Sequence, residues 1–175
     1  EPDDLVTTFY NLHLATRRRQ GVPIQPRRFF RLIAERVLST GGGWVDVVEA
    51  AGRPVAAALF LAGNGTVIYK FGASDEAAWS LRPNHLLFWH AIRSACETGY
   101  TAFDFGRTDA GHDSLAAFKR SWGADEQTLT YSVVGRTPAA EGGHGAAGRL
   151  LGTVLRHTPP ILTRISGELL YRFVA

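Results

Sequence analysis

Several residue types and patterns are scarce in this sequence, and each scarcity excludes a class of protein or of site. Cys96 is the only cysteine, so no internal disulfide can form, no cysteine-based metal cluster is expected, and the residue is predicted to be a small buried hydrophobe. No apolar run reaches the roughly 18 residues that indicate a transmembrane helix. The chain starts with acidic and polar residues, unlike a signal peptide, and has no initiator methionine. We therefore expect a cytoplasmic segment of a longer protein.

Lysine is also scarce. Lys70 and Lys119 are the only lysines among the 19 basic residues, the rest are arginines, and the formal net charge is +3. Because a planar guanidinium binds phosphate and carboxylate groups in a bidentate way, an anionic ligand is favoured. Six arginines gather around the first two predicted helices: Arg17, Arg18, Arg19, Arg27, Arg28 and Arg31. They form either a solvated basic face or an anion-binding surface.

The sequence does contain a regular succession of helix and strand patterns. Apolar residues at helical spacing predict two opening helices, and alternation of apolar and polar residues then predicts three strands. The predicted helices cover 2–20 and 26–37, and the strands cover 44–50, 55–62 and 66–71. They are followed by a loop at 72–83, a helix at 84–98, a strand at 102–105, a helix at 114–122 and a last strand at 127–134. The predicted order is ααβββαβαβ.

This order predicts an α+β fold. Three meandering antiparallel strands and a helical crossover to a further strand give a mixed sheet flanked by helices. We expect residues 1–135 to form this domain. Residues 136–148 are rich in Ala and Gly and predict a flexible linker. Residues 149–175 predict an amphipathic helical tail, which either packs against protein or lies on an anionic membrane surface.

One edge of the predicted sheet is suited to bind a ligand. The strands that end at Phe71 and Phe105 are joined by one helix, which predicts that they run parallel. Ligands of such sheets collect at the carboxyl ends of the strands, so segments 71–74 and 104–108 should face each other across a crevice. The helix after Pro83 begins at the same edge, and its free N–H groups favour a phosphate or carboxylate.

Four sequence blocks lie around this crevice: Tyr69-Lys70-Phe71-Gly72-Ala73-Ser74, the run from Pro83 to Ile92, Phe103-Asp104-Phe105-Gly106-Arg107-Thr108, and Phe118-Lys119-Arg120 with Trp122-Gly123-Ala124. Together these blocks resemble the FemAB-like acyltransferases of the GNAT superfamily, including their BioF2-like acetyltransferase domains. The resemblance covers about residues 5–135 and is most specific at 69–124. It implies a GNAT-like sheet without its first strand, in the C-terminal half of a protein with two such halves.

The resemblance also implies an activity. Members of the family move an acyl or aminoacyl group from an activated donor to an amine, in cell-envelope, peptidoglycan or exopolysaccharide synthesis. The expected co-substrate is acyl-CoA or aminoacyl-tRNA, with no tightly bound cofactor. The loop at 72–83 lacks the glycine-rich pyrophosphate signature of many GNAT enzymes, and no coiled-coil arm for tRNA is present. The expected partners are an acyl donor, an amine acceptor and an upstream GNAT half of the same protein. If the donor is aminoacyl-tRNA, tRNA is a partner as well, and the C-terminal tail is a candidate contact with a membrane surface.

Residue roles follow from these blocks. Lys119, in the family-like Phe-Lys pair, is predicted to stabilise the oxyanion, and Asp104 is predicted to act as a base or an orienting carboxylate, unless it caps the N–H of Gly106. The predicted donor or substrate contacts are Phe71, Gly72, Ser74, Pro83, Asn84, His85, Gly106, Arg107 and Arg120. No metal site is expected, because His85 and His90 are five residues apart and do not share a helix face.

Two other classes of function remain open at this point. The domain could be a catalytically silent half that recognises only the acceptor. Alternatively, the basic helices could form a nucleic-acid-binding module, although aromatic residues do not interleave with the arginines as a stacking surface requires.

Overall fold

The computed structural model describes residues 2–132 and, beyond them, residues 153, 156, 159, 163 and 164. Four α-helices, four strands and two short 3₁₀ helices lie within residues 2–132. The helices are α1 Pro2–Gln20, α2 Arg27–Arg36, α3 Pro83–Glu97 and α4 Asp113–Arg120. The strands are β1 Gly43–Ala50, β2 Arg53–Gly63, β3 Thr66–Ser74 and β4 Ala102–Asp104. The 3₁₀ helices are Leu38–Thr40 and Glu76–Leu81.

The four strands form one mixed sheet in the order β1-β2-β3-β4. The first three strands are an antiparallel meander, and β4 pairs with β3 in the parallel direction after the crossover through α3. The β2–β3 turn contains Asn64 and Gly65, both at positive φ, which suits a tight hairpin. The predicted α+β class and the parallel pairing around the crevice are therefore confirmed.

Each face of the sheet is covered by helices, which explains why β2 is apolar along nearly its whole length. Ala57 and Leu59 point into a core formed with α1 and α2, where Phe9 and Phe30 are fully buried. Phe60 and its alternate neighbours on β2 point to the opposite face and pack against α3. The period of two along β2 thus distributes one apolar strand between two cores.

The structure departs from the sequence predictions in three places. The predicted strand at 127–134 is wrong for residues 127–132, which have no regular secondary structure, and its last two residues lie outside the described part. The predicted loop at 72–83 is replaced by the end of β3 and the 3₁₀ helix Glu76–Leu81. Cys96 lies in α3 as expected, but its side chain is exposed and not buried.

The linker and nearly all of the helical tail lie outside the described residues, so those two segments remain predictions. Thr153, Arg156, Thr163 and Arg164 are helical, and Thr163 is fully buried. Among the residues that the structure describes, no helix combines the length and the apolar character needed to cross a membrane.

Candidate active site

The candidate site lies where β3 and β4 part. Their parallel pairing spans three residue pairs and ends at Ile68 and Asp104. Beyond this point β3 continues to Ser74 along β2 alone, with a bulge at Lys70 where the β2–β3 register shifts. The separation of the two strands opens a cavity of about 660 Å³ at their carboxyl ends, at the edge that the sequence predicted.

Several elements supply the walls of this cavity. Tyr69 of β3 forms the floor, and Phe88 of α3 packs against it with ring centroids 4.8 Å apart. This floor is surrounded by the end of α1, the 3₁₀ helix Glu76–Leu81, the start of α3, and α4. The lining residues are Arg19, Gln20, Tyr69, Trp79, Arg82, Pro83, Asn84, His85, Phe88, Ser114, Leu115, Phe118 and Lys119.

The lining is cationic. Arg19, Arg82 and Lys119 all line the cavity, and no Asp or Glu is among the described residues that do so. At the same edge α3 begins with Pro83, and no side chain caps its first turn. Cations and a helix start around a concave surface together favour an anionic ligand.

The position of the Tyr69 ring requires a glycine at residue 72. A side chain at Gly72 would overlap the Tyr69 hydroxyl, so only glycine leaves room for the ring in this position. Burial raises the pKa of Tyr69 to about 12, which keeps its hydroxyl protonated across the physiological range. Tyr69 therefore lines the cavity as a neutral side chain.

Lys119 joins α4 to the loop that follows β4. Its Nζ atom donates to the carbonyl oxygen of Gly106 at 2.6 Å and to that of Arg107 at 3.1 Å. Asp104 shapes the same loop, because its Oδ1 atom accepts the Gly106 N–H at 2.7 Å. Burial lowers the pKa of Lys119, and the nearby charge of Asp104 opposes this effect. An ammonium has three N–H groups, so one of them remains for a ligand.

Ser74 is a junction between β3, α1 and the 3₁₀ helix. Its N–H donates to Thr16 Oγ1 at 3.2 Å, and its carbonyl oxygen accepts from Arg19 at 3.1 Å. Its hydroxyl oxygen accepts the indole N–H of Trp79 at 2.9 Å. Ser74 is buried and does not line the cavity, so it positions Trp79 and Arg19, which do.

His85 lies in the first turn of α3. Its ring packs edge-on against Phe118, with centroids 5.2 Å apart, and faces the same cavity as Lys119. Trp122 adds a further aromatic contact at 6.3 Å. The imidazole thus contacts one aromatic ring on α4 and one just after it, while it remains exposed.

The structure brings together part of the predicted set. Pro83, Asn84, His85 and Lys119 share the cavity lining. The remaining predicted residues do not line it: Phe71, Gly72, Ser74, Asp104, Gly106, Arg107 and Arg120. Gly72, Ser74, Asp104 and Gly106 contact lining residues or shape the adjoining loop, as described above.

The side chains of the other three predicted residues do not line the cavity, although the carbonyl oxygen of Arg107 contacts Lys119. Phe71 packs on the opposite face of the sheet, with His13 at 5.6 Å and Phe30 at 5.5 Å between ring centroids. Arg107 pairs with Asp109 at 3.1 Å and stacks over Tyr131. Arg120 is exposed at the end of α4.

The sequence interpretation missed several lining residues, chiefly Arg19, Tyr69, Trp79, Arg82 and Phe118. Trp79 could have been recognised from the sequence, because a tryptophan in a segment predicted to be a loop is not explained by packing in a helix or strand core. Arg82 could have been recognised as well, since it directly precedes Pro83 at the start of a helix. Arg19 belonged to the basic cluster whose role was left open, and its approach to this cavity depends on the packing of α1 against β3.

Comparison with known sequences identifies the class to which this fold and site belong. The model of the acetyltransferase (GNAT) domain family matches residues 1–120. The chain therefore belongs to the GNAT acetyltransferase domain family.

Curated relatives confirm the resemblance to FemAB-like enzymes. The chain is 40% identical over 73 residues to the lipid II:glycine glycyltransferase of Staphylococcus epidermidis, which covers 38% of this chain and 17% of that protein. It is 35% identical over 72 residues to the enzyme of the same name from Staphylococcus aureus, with the same coverage. The match thus spans about a sixth of the length of these relatives.

Solved structures support the fold. An aminoglycoside N-acetyltransferase in complex with CoA, AAC(6')-Iy, aligns with a TM-score of 0.60 and 14% identity over 78% of this chain and 91% of that one. An aminoglycoside acetyltransferase from an uncultured soil metagenomic sample, in complex with sisomicin, aligns with a TM-score of 0.58 and 16% identity over 77% and 92% of the two chains. At these identities the likeness shows a shared GNAT fold.

Proposed function

We propose that this chain transfers an acyl or aminoacyl group from an activated donor to an amine, and that the donor binds in the cavity between β3, α3 and α4. The observation that carries this proposal is the cationic cavity at the separation of β3 and β4, with Lys119 and His85 in its lining. Family membership and the FemAB-like relatives support the same class of reaction.

Both candidate donors, acyl-CoA and aminoacyl-tRNA, carry phosphate groups, so the cationic lining suits either. Arg82, Arg19 and the start of α3 are the proposed binding site for a donor phosphate. One structural relative of this fold was solved with CoA, and the relatives in sequence are glycyltransferases. No tightly bound cofactor is required for this chemistry.

The reaction needs a positioned carbonyl, a stabilised oxyanion and a route for the amine proton. The amine nitrogen attacks the carbonyl carbon of the donor and a tetrahedral oxyanion forms. The C–S or C–O bond to the leaving group then breaks. We propose that His85 accepts the amine proton and returns it to the leaving atom, because its imidazole faces the cavity and is suited to proton exchange.

Lys119 is the proposed source of oxyanion stabilisation. The carbonyls of Gly106 and Arg107 fix its ammonium at the edge of the cavity, so its charge is in place before the reaction begins. Asp104 is proposed to act as an orienting carboxylate, since it shapes the turn at Gly106 and favours the charged form of Lys119.

The acceptor and pathway are proposed from the relatives. The relatives are named lipid II:glycine glycyltransferases, and the FemAB-like resemblance implies an amine of a cell-wall precursor as the acceptor here. We retain the expectation that an upstream GNAT half belongs to the same protein, and that the tail at 149–175 contacts a membrane surface or packs on protein. Synthesis of peptidoglycan or an exopolysaccharide would use such an enzyme in the cytoplasm.

A transfer assay tests this proposal. The complete protein is incubated with acetyl-CoA or glycyl-tRNA and with Nα-acetyl-lysine as an amine probe, and the product is quantified by mass spectrometry. We expect saturable amide formation with one of the two donors and none without protein. Binding of a donor without any transfer would overturn the proposal and favour the silent, acceptor-recognising half.

One further observation favours a second candidate function. Arg27, Arg28 and Arg31 line a separate cavity of about 380 Å³ between α1 and α2, over a floor that includes Phe30. A basic surface for nucleic acid on these helices predicts affinity that falls steeply with salt and shows no preference for an acyl donor. Titration of a single-stranded RNA at two salt concentrations separates this function from donor binding.

A further inference from the structure

Trp79 presents a fixed aromatic surface to the cavity. The residue is 47% exposed, although an indole offers a large apolar area that proteins usually bury. It is not a loosely held surface side chain, because its N–H donates to Ser74 Oγ at 2.9 Å and the Arg19 guanidinium lies 4.8 Å from its ring centre. The structure therefore holds an exposed aromatic ring in one orientation at the cavity wall.

The anchor of this ring is itself fixed. Ser74 is buried, and its backbone is bonded to Thr16 and Arg19 of α1. Few rotamers of Trp79 satisfy the bond to Ser74 and the contact with Arg19 together. A ligand that stacks on the indole therefore meets a surface whose side-chain entropy has already been lost on folding.

Arg82 stands next to this surface. Its backbone N–H donates to the Trp79 carbonyl oxygen at 2.9 Å, so both side chains come from one turn and both line the cavity. Arg82 adopts a φ of 53°, a left-handed conformation that is unfavourable for a residue with a side chain. None of the ion pairs among the described residues involves Arg82.

We propose that the adenine ring of the donor stacks on Trp79, and that Arg82 and Arg19 bind the 5′-phosphate of the same adenosine. Acyl-CoA and the 3′ end of aminoacyl-tRNA share an adenosine 5′-phosphate group, so the subsite has the chemistry to bind the adenosine of either source. The chemistry matches, because bases stack on exposed aromatic rings and guanidinium groups bind phosphate. This inference rests on the proposed function, since it assigns a part of the proposed donor.

The chain offers a matched control for Trp79. Trp89 on α3 is 49% exposed and has the Arg93 guanidinium 5.3 Å from its ring centre. It does not line the cavity, and Arg93 is paired with Glu97 at 2.7 Å. Trp79 and Trp89 thus have similar exposure and similar cation–π contacts, and they differ in access to the cavity.

Calorimetric titration of the complete protein with AMP and with ribose 5-phosphate tests this stacking role of Trp79. We expect AMP to bind more tightly than ribose 5-phosphate, and Trp79→Leu to weaken AMP binding by about 5-fold or more while leaving ribose 5-phosphate unchanged. Trp79→Phe retains an aromatic ring and should show an intermediate loss. Thermal melting monitors the fold of each variant. Equal affinities for the two probes, or an equal loss of AMP affinity in Trp89→Leu, would overturn the proposal.

Two further arms identify the source of the adenosine. CoA and an RNA hairpin ending in CCA are titrated into wild-type protein and Trp79→Leu, and the natural donor type should show the Trp79-dependent affinity. A protein that binds AMP through Trp79 but transfers no acyl group would disprove the proposed function alone. A protein that transfers acyl groups with a Michaelis constant for the donor that is unchanged in Trp79→Leu would disprove this inference alone.

Discussion

Lys119 Nζ donates a 2.6 Å hydrogen bond to the carbonyl oxygen of Gly106, and this bond joins helix α4 to the loop that leaves the sheet after β4. The family-like Phe-Lys pair and the family-like Asp-Phe-Gly-Arg-Thr block therefore meet in space, although they are separated in sequence. A cation held by backbone carbonyls is already placed when charge develops on a substrate, which is the requirement for electrostatic catalysis.

Gly72 should tolerate no side chain, because any Cβ atom would overlap the Tyr69 hydroxyl. We expect Gly72→Ala to lower the free energy of unfolding by about 1–3 kcal/mol and to weaken donor binding through displacement of the cavity floor. Gly63→Ala is the matched control, since nothing lies within 4 Å of its Cβ position at the end of β2. Urea unfolding of both variants measures the effect, and equal stabilities would contradict the packing described here.

Replacing Arg82 with glycine should affect protein stability and donor binding in opposite directions. Glycine at this position relieves the left-handed backbone, so Arg82→Gly should leave the protein as stable as wild type or about 0.5–1 kcal/mol more stable. The same variant should weaken donor binding, because a cation is lost from the cavity. Ala51→Gly has a similar φ of 50° in the β1–β2 turn and should change stability alone. A donor affinity that Arg82→Gly leaves unchanged would remove Arg82 from the site.

His13 should make the fold sensitive to acid. Burial lowers the pKa of His13 from 6.5 to about 4, with the charge of Arg17 acting in the same direction. Between these two pH values the unfolded chain binds a proton at this histidine and the folded chain does not, so stability falls as pH falls through this window. The loss attributable to His13 is at most about 3 kcal/mol.

The variant His13→Phe tests this origin of acid sensitivity. Its ring can keep the stacked contact with Phe9 and the edge-to-face contact with Phe30 but has no proton to gain, so the difference in stability between pH 7 and pH 4.5 should shrink. His112→Gln, at an exposed position before α4, should retain the wild-type difference. An unchanged difference in His13→Phe would assign the acid loss to other groups.

Much of the fold was predictable from sequence because its signals are local. The apolar run of β2, the Asn64–Gly65 turn and the break at Gly99 fix the type and order of the elements without knowledge of tertiary contacts. The parallel pairing of β3 with β4 follows from a single helical crossover between them. These features depend on periodicity and turn chemistry, which a sequence displays directly.

The cavity was only partly predictable, because its lining depends on register and on packing between distant segments. The bulge at Lys70 separates Phe71 from the cavity side, so Phe71 packs with His13 while Tyr69 forms the floor. Arg19 reaches the site because α1 docks on β3 through Thr16 and Ser74, a contact between residues 58 positions apart in sequence. Such long-range contacts have no local sequence signal.

The error at residues 127–132 has a different cause. Alternating apolar and polar residues suggested a strand there, but alternation is meaningful only where one face is buried. Leu129 and Tyr131 are 62% and 64% exposed among the described residues, so this segment has no sheet or core against which to pack.

Steady-state kinetics of Lys119 variants in the complete protein test the central claim most directly, once the donor is known. Lys119→Ala should lower kcat by roughly 10²-fold or more, the scale observed when one oxyanion donor is removed, and Lys119→Arg should restore it only in part. Arg120→Ala, one residue further and outside the cavity lining, should retain wild-type kinetics. Thermal melting confirms that each variant is folded. A Lys119→Ala variant with unchanged kcat, whether or not its Michaelis constant rises, would contradict the catalytic role and exclude Lys119 from oxyanion stabilisation.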